Sequence, residues 1–153
     1  MKVLFVCTGN TCRSPMAEGY FRHLCNQAGR DDIVVDSAGT FAPEGGLPSP
    51  QSVQTLKSIG VNISELRSQP LSKALLDSCD VIATMTESHR YNIGQISPKA
   101  LAKTKRLLEY ADDFRDVADP YGGSVADYNA CFAEMRSALD NLFLDIVKPN
   151  HKD

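Results

Sequence analysis

The sequence predicts an α/β fold: a doubly wound, four-stranded parallel sheet with helices on both faces. Two features of the pattern predict it. Short apolar runs alternate along the chain with stretches whose apolar residues recur at helical spacing. Strands separated by helices pair in parallel and are covered on both sides. The length supports the same reading: 153 residues, 42% of them hydrophobic, suffice for a single domain spanning 1–153 over one core.

The first strand is Lys2 to Cys7, around Val3-Leu4-Phe5-Val6. Residues 15–28 follow as a helix. Pro15 suits its first position, Ala17, Tyr20, Phe21 and Leu24 share one face, and Gly29 closes it. Ile33-Val34-Val35 is the second strand, and Ser37-Ala38-Gly39-Thr40-Phe41 leaves it as a loop. Ser49 caps a helix that starts at Pro50 and ends by Gly60; Ser72 caps a short one reaching Cys79. Asp80 to Met85 is the third strand, followed by a helix from Glu87 to Ile96 capped by Thr86. Thr104 to Leu108 is a weaker fourth strand, and a polar loop runs from Tyr110 to Gly123. The last helix carries Val125, Tyr128, Phe132, Met135, Leu139, Leu142 and Ile146 at alternating spacings of three and four. Ser124 and Asp127 form its capping pair, Pro149 stops it, and Asn150 to Asp153 fray.

Composition narrows the function. The net charge is −3 with basic residues scattered, which argues against a nucleic-acid or membrane-surface partner. No apolar run approaches the ~20 residues of a membrane helix, and the N-terminus lacks the form of a signal peptide. Five cysteines, an odd number, suit a reducing compartment, so a cytoplasmic location is expected. With no C-x-x-C pair and no Cys/His cluster, no metal or other cofactor is expected.

The chemistry concentrates in Cys7-Thr8-Gly9-Asn10-Thr11-Cys12-Arg13-Ser14. A cysteine ends a strand, a helix starts just beyond, and the spacing is C-x5-R. Backbone N–H groups between those anchors can form an anion nest, and the helix N-terminus adds a positive field. That field favours a thiolate, the form that attacks phosphorus. Arg13 offers a planar fork to two phosphate oxygens. Gly9 and Asn10 tolerate positive φ, and Ser14 can donate a hydrogen bond to the sulfur. Cys12 packs beneath the loop or forms a reversible disulfide with Cys7 that shields it from over-oxidation. A proton donor for the leaving group is also needed. Asp119, in Asp119-Pro120-Tyr121-Gly122-Gly123, is one candidate; Asp112, Asp113 and Asp116 compete with it.

V-C-T-G-N-T-C-R-S-P-M-A-E, followed far downstream by D-P-Y-G-G-S, resembles the low-molecular-weight protein tyrosine phosphatase family over essentially the whole chain. The resemblance implies a flavodoxin-like four-stranded parallel sheet and a cysteinyl-phosphate intermediate without a metal. Carried over by position, it makes Cys7 the nucleophile, Arg13 the phosphate ligand and Asp119 the general acid. Thr8 to Ser14 become the phosphate-binding loop, supported by Asn10, Ser14 and Ser37, with Phe41 and Tyr121 as aromatic walls. Members acting on phosphotyrosine commonly carry Ile at the position of Thr11. Thr there, in C-T-G-N-T-C-R-S, resembles the protein-arginine-phosphatase branch, so phosphoarginine in proteins is favoured over phosphotyrosine. The expected partners are a phosphorylated protein and, as product, inorganic phosphate; the expected state is a monomer or weak dimer.

Many relatives have a His near the supporting network. This chain has Leu66 there, so the network around Asn10 and Ser37 is expected to close differently, with water one possibility. His23, His89 and His151 are expected at the surface without a role. A thiol-coupled arsenate reductase would need paired relay cysteines near the third strand, where Cys79 stands alone. A phosphocysteine carrier would not need Asp119, and a mere phosphate-binding module would need neither Cys7 nor Asp119.

Overall fold

The computed structural model describes residues 1–148. Four strands, β1 (Lys2–Cys7), β2 (Val34–Gly39), β3 (Val81–Thr84) and β4 (Thr104–Arg106), form one sheet in the order β2-β1-β3-β4. All three pairings are parallel. The α-helices among the described residues are α1 (Arg13–Gln27), α2 (Pro50–Lys57), α3 (Lys73–Ser78), α4 (Glu87–Ile96) and α5 (Val125–Val147). Among the described residues no helix is long and apolar enough to cross a membrane.

Alternation along β1 divides the core in two. Val3, Phe5 and Cys7 face one side with Phe21 of α1, Leu56 of α2 and Met135 of α5. Leu4 and Val6 face the other with Leu76 of α3 and Ile93 of α4. A strand buried on both faces must be apolar at consecutive positions, which is why Val3 to Val6 read as an unbroken run. Phe5 and Phe21 meet edge to face at 5.5 Å, each fully buried. Such burial contributes about 1.5–3 kcal/mol per side chain.

Helix starts follow the expected chemistry. Ser49, Ser72, Thr86 and Ser124 each accept the N–H of the residue three positions on, and Ser124 with Asp127 completes a capping box. Three boundaries differ from expectation by two residues or more. Helix α1 begins at Arg13, so Pro15 is its third residue, where a missing N–H is still harmless. Strand β2 continues through Ser37, Ala38 and Gly39, which the small residues suggested was loop; Gly39 pairs with Cys7. Strand β4 stops at Arg106, and Leu107 and Leu108 enter a 3₁₀ turn. Both leucines join the same core, which consecutive residues of a strand cannot do. Pro149, the 150–153 tail and His151 lie outside the described residues.

Chain order reverses direction at β1, so the carboxyl ends of β1 and β3 flank a switch-point crevice, where ligands bind in open α/β sheets. The end of β2 buttresses that crevice. A Cβ on Gly39 would lie 2.3 Å from the Thr8 carbonyl oxygen and 3.1 Å from the Asn10 nitrogen. Gly39→Ala is therefore expected to cost about 1–3 kcal/mol in urea unfolding by overpacking. An unchanged midpoint would show that the loop yields freely.

Candidate active site

The segment from Cys7 to Arg13 wraps the crevice because its carbonyls are held from outside. Thr40 N–H donates to Cys7 O at 2.9 Å, Phe41 N–H to Thr8 O at 2.9 Å, and Ser49 N–H to Thr11 O at 2.8 Å. The Ser52 hydroxyl donates to Cys12 O at 3.2 Å. A trans peptide points its N–H opposite to its C=O, so pinning the carbonyls outward turns the N–H groups inward. Helix α1 continues the arrangement. Its N-cap, Cys12, makes no side-chain capping bond, leaving the first-turn N–H groups open toward the same point.

Asn10 sets the direction of two hydroxyls behind Cys7, those of Ser14 and Ser37. It has φ of 57°, the left-handed region that Asn tolerates. Its Oδ1 accepts Gln69 N–H at 2.9 Å, which identifies the oxygen end of the amide. Nδ2 then donates to Ser14 Oγ at 2.8 Å and to Ser37 Oγ at 2.9 Å. Ser37 passes its own hydrogen to Glu18 Oε1 at 2.6 Å. Ser14, with its oxygen accepting from Asn10, directs its hydrogen to Cys7 Sγ at 3.0 Å. The network thus reaches Glu18 and the Gln69 backbone. Leu66 packs against the core instead. Glu18 also pairs with Arg22, yet burial holds its pKa above the usual carboxylate value.

Arg13 is 3% exposed. Its Nη1 donates to Val117 O at 2.8 Å, and Nη2 lies 3.6 Å from Asp119 Oδ2. Its buried Nε has no hydrogen-bond partner among the described residues. Asp119 is half exposed, and its other oxygen accepts Tyr121 N–H at 3.0 Å. None of the competing carboxylates lines the cleft that holds Asp119. Asp112 closes a 3₁₀ turn at positive φ, Asp113 pairs with Arg115, and Asp116 accepts Glu87 N–H at 3.0 Å. A cleft of about 360 Å³ brings Cys7, Thr8, Gly9, Thr11, Cys12, Arg13, Phe41, Asp119 and Tyr121 together. Phe41 and Tyr121 stand mostly exposed at its rim. Asn10, Ser14 and Ser37 lie behind the cleft as the network that holds it.

All five thiols are free. Cys12 Sγ lies 3.1 Å from the Tyr128 hydroxyl, whose pKa is raised to about 12, chiefly by burial. Burial also raises the thiols of Cys25, Cys79 and Cys131, the last to about 12. None of these three lines the cleft.

His89 corrects the surface expectation: it is 3% exposed. As the third residue of α4 it completes a capping box, its Nδ1 accepting Thr86 N–H at 3.2 Å. Nε2 lies 2.9 Å from Thr8 Oγ1. Burial first, then the charge of Arg13, lowers its pKa to about 4. A sequence signal existed in Thr86-x-x-His89, a cap followed by a side chain at the reciprocating position. Glu18 had a fainter one, lying one helical turn beyond Ser14.

Comparison with known proteins agrees with this geometry. The family model described as "Low molecular weight phosphotyrosine protein phosphatase" matches residues 2–152. A protein-arginine-phosphatase of Bacillus subtilis (strain 168) is 36% identical over 154 residues, covering 100% of this chain and 99% of the relative. A low-molecular-weight phosphotyrosine protein phosphatase of Dictyostelium discoideum is also 36% identical, over 170 residues, covering 97% and 95%. Among solved structures, the YwlE arginine phosphatase mutant with a phosphorylated active-site serine superposes with a TM-score of 0.91 at 34% identity. All of both chains is covered. The chain belongs to the low-molecular-weight phosphotyrosine protein phosphatase family. It is a protein phosphatase, with a phosphorylated substrate and inorganic phosphate as product.

The buried histidine has a consequence for stability. From its ordinary value of 6.5 down to about 4, the unfolded chain binds a proton at His89 that the native protein refuses. Stability therefore rises with pH through that window and is lost as pH falls. Urea unfolding across it should show a steeper acid loss for the native protein than for His89→Gln; parallel curves would contradict a buried neutral ring.

Proposed function

We propose that this member of the family hydrolyses phosphoarginine in proteins through a cysteinyl-phosphate intermediate. One observation carries the chemistry: Cys7 Sγ faces the Ser14 hydroxyl at 3.0 Å, in a cleft shared with Arg13 and Asp119. The Cys7 thiolate attacks phosphorus and the S–P bond forms. The bond to the leaving nitrogen breaks, and Asp119 supplies the proton that leaves with it. Asp119, now a carboxylate, takes a proton from water, which attacks the cysteinyl phosphate; the S–P bond breaks and inorganic phosphate leaves. Ser14 stabilises the sulfur as attacking and departing thiolate. The inward N–H groups and the buried, unpartnered Nε of Arg13 suit the oxygens of a phosphoryl group.

Thr11 supports the choice of phosphoarginine. It lines the cleft and presents a hydroxyl and a methyl where a larger aliphatic side chain would present only carbon. A planar, polar guanidinium is better served by that wall than a phenol ring is. The exposed rings of Phe41 and Tyr121 favour the second reading, phosphotyrosine, because they can flank a substrate ring. The Dictyostelium relative named for that activity is as similar as the Bacillus one named for the other.

Cys7→Ser should abolish turnover while inorganic phosphate still binds; retained turnover would remove Cys7 as nucleophile. Asp119→Asn should slow poor leaving groups roughly 100-fold or more and activated ones least. Equal losses across leaving groups would reassign the acid. Rates on phosphoarginine and phosphotyrosine measured side by side should favour the former and shift toward the latter in Thr11→Ile. An unchanged ratio would separate Thr11 from specificity, and a native preference for phosphotyrosine would select the second reading.

A further inference from the structure

The His89 ring bridges two partners, and their chemistry fixes its proton. Nδ1 accepts the N–H of Thr86, a group that can only donate. A neutral imidazole then carries its hydrogen on Nε2 and donates it to Thr8 Oγ1, 2.9 Å away. The Thr8 hydroxyl spends a lone pair on this bond and keeps its own hydrogen. That hydrogen is turned away from the ring, on a side chain that lines the cleft next to Cys7.

We propose that His89 is a positioning residue that makes the Thr8 hydroxyl a hydrogen-bond donor to the phosphoryl group of the substrate. The inference rests on reading the cleft as a phosphoryl-transfer site. The contact spans the crevice itself, because Thr8 follows β1 and His89 follows β3. Three charged groups act on the ring: Arg13 from α1, and Asp116 and Asp119 from the segment before α5. A protonated ring would have to donate at both nitrogens and would lose the Thr86 N–H, so the capping box itself maintains the neutral tautomer. The same first turn holds the acid-bearing segment, through Glu87 N–H to Asp116. Nucleophile loop and acid segment are thereby referred to one turn of helix.

Two substitutions separate the halves of the contact. In His89→Gln, the amide oxygen can accept Thr86 N–H and the NH₂ can donate to Thr8. In His89→Glu, the carboxylate keeps the capping box but draws the Thr8 hydrogen away from the cleft. Thr8→Val and His89→Glu should each weaken kcat/KM and competitive inhibition by inorganic phosphate about tenfold. His89→Gln should recover to within about threefold of the native protein. In a Thr8→Val background, His89→Glu should add nothing. Losses that multiply in the double variant would overturn the inference, because His89 would then act through charge or folding.

The ring nitrogens of the native protein give a readout independent of any variant's folding. Nitrogen-15 NMR should find the proton on Nε2, and inorganic phosphate should shift that signal. A proton on Nδ1, or a signal indifferent to bound phosphate, would overturn the proposal. Failure of the native protein to bind phosphate at all would instead overturn the reading of the cleft, and with it this use of Thr8.

Discussion

The hydroxyl that faces Cys7 depends on the side-chain amide of Asn10 being held in one orientation. The residue sits in the left-handed region, at a conformational cost that Asn bears better than most. What it gains is three directed hydrogen bonds: one accepted from Gln69 N–H and two donated to serines. Each serine is thereby told where its own hydrogen goes. Ser37 sends it to Glu18, and Ser14 sends it to the sulfur of Cys7. A hydroxyl is otherwise a free rotor, and in a buried site an undirected one is of little use to a reacting atom. Glu18 ends the chain and is itself buried, at a desolvation cost offset by the Ser37 and Arg22 contacts.

The second constraint is that Cys7 and Asp119, the proposed nucleophile and acid, lie on segments far apart in sequence and must share a frame. Arg13 does part of this, with one nitrogen on the Val117 carbonyl and another near Asp119. Val117 N–H donates to Met85 O, just past β3, and Arg106 at the end of β4 donates to Phe114 O. Asp116 accepts from Glu87 at the start of α4. The segment that carries Asp119 therefore hangs on the carboxyl ends of β3 and β4, elements that are themselves fixed in the sheet. A buried guanidinium is costly unless its donors are met; Arg13 sets Nη1 on the Val117 carbonyl and Nη2 near Asp119, and its buried Nε has no partner among the described residues.

Much of the site was readable because its signals are local. Cys7, Arg13 and Ser14 are packed into eight residues whose order implies a strand end, a turn and a helix start. Asp119 was one carboxylate among four by pattern, and became the candidate acid by resemblance. The structure separates it from its competitors by placing Asp112, Asp113 and Asp116 in turns and ion pairs away from the cleft. Glu18, Gln69 and His89 were missed because their partners are distant in sequence: Ser37, Asn10 and Thr8. A charged or polar residue on a helix reads as solvent-facing until its partner is known.

By itself, the sequence determined what nearest neighbours decide. Helical spacing, Ser and Thr caps, unbroken apolar strands and the C-x5-R loop each act within a few residues, so their energies are set before the chain folds back on itself. The tertiary structure decided what requires two distant segments to meet. The strand order β2-β1-β3-β4 puts the ends of β1 and β3 on either side of one crevice. Pairing with β1 extends β2 through Ser-Ala-Gly, because small residues are what fit against the Thr8 carbonyl. Burial turns His89 from a surface residue into a neutral ring bonded to the loop after β1. Each of these outcomes is a hydrogen bond or a close contact across the fold, whose stability exists only once both sides have lost their water.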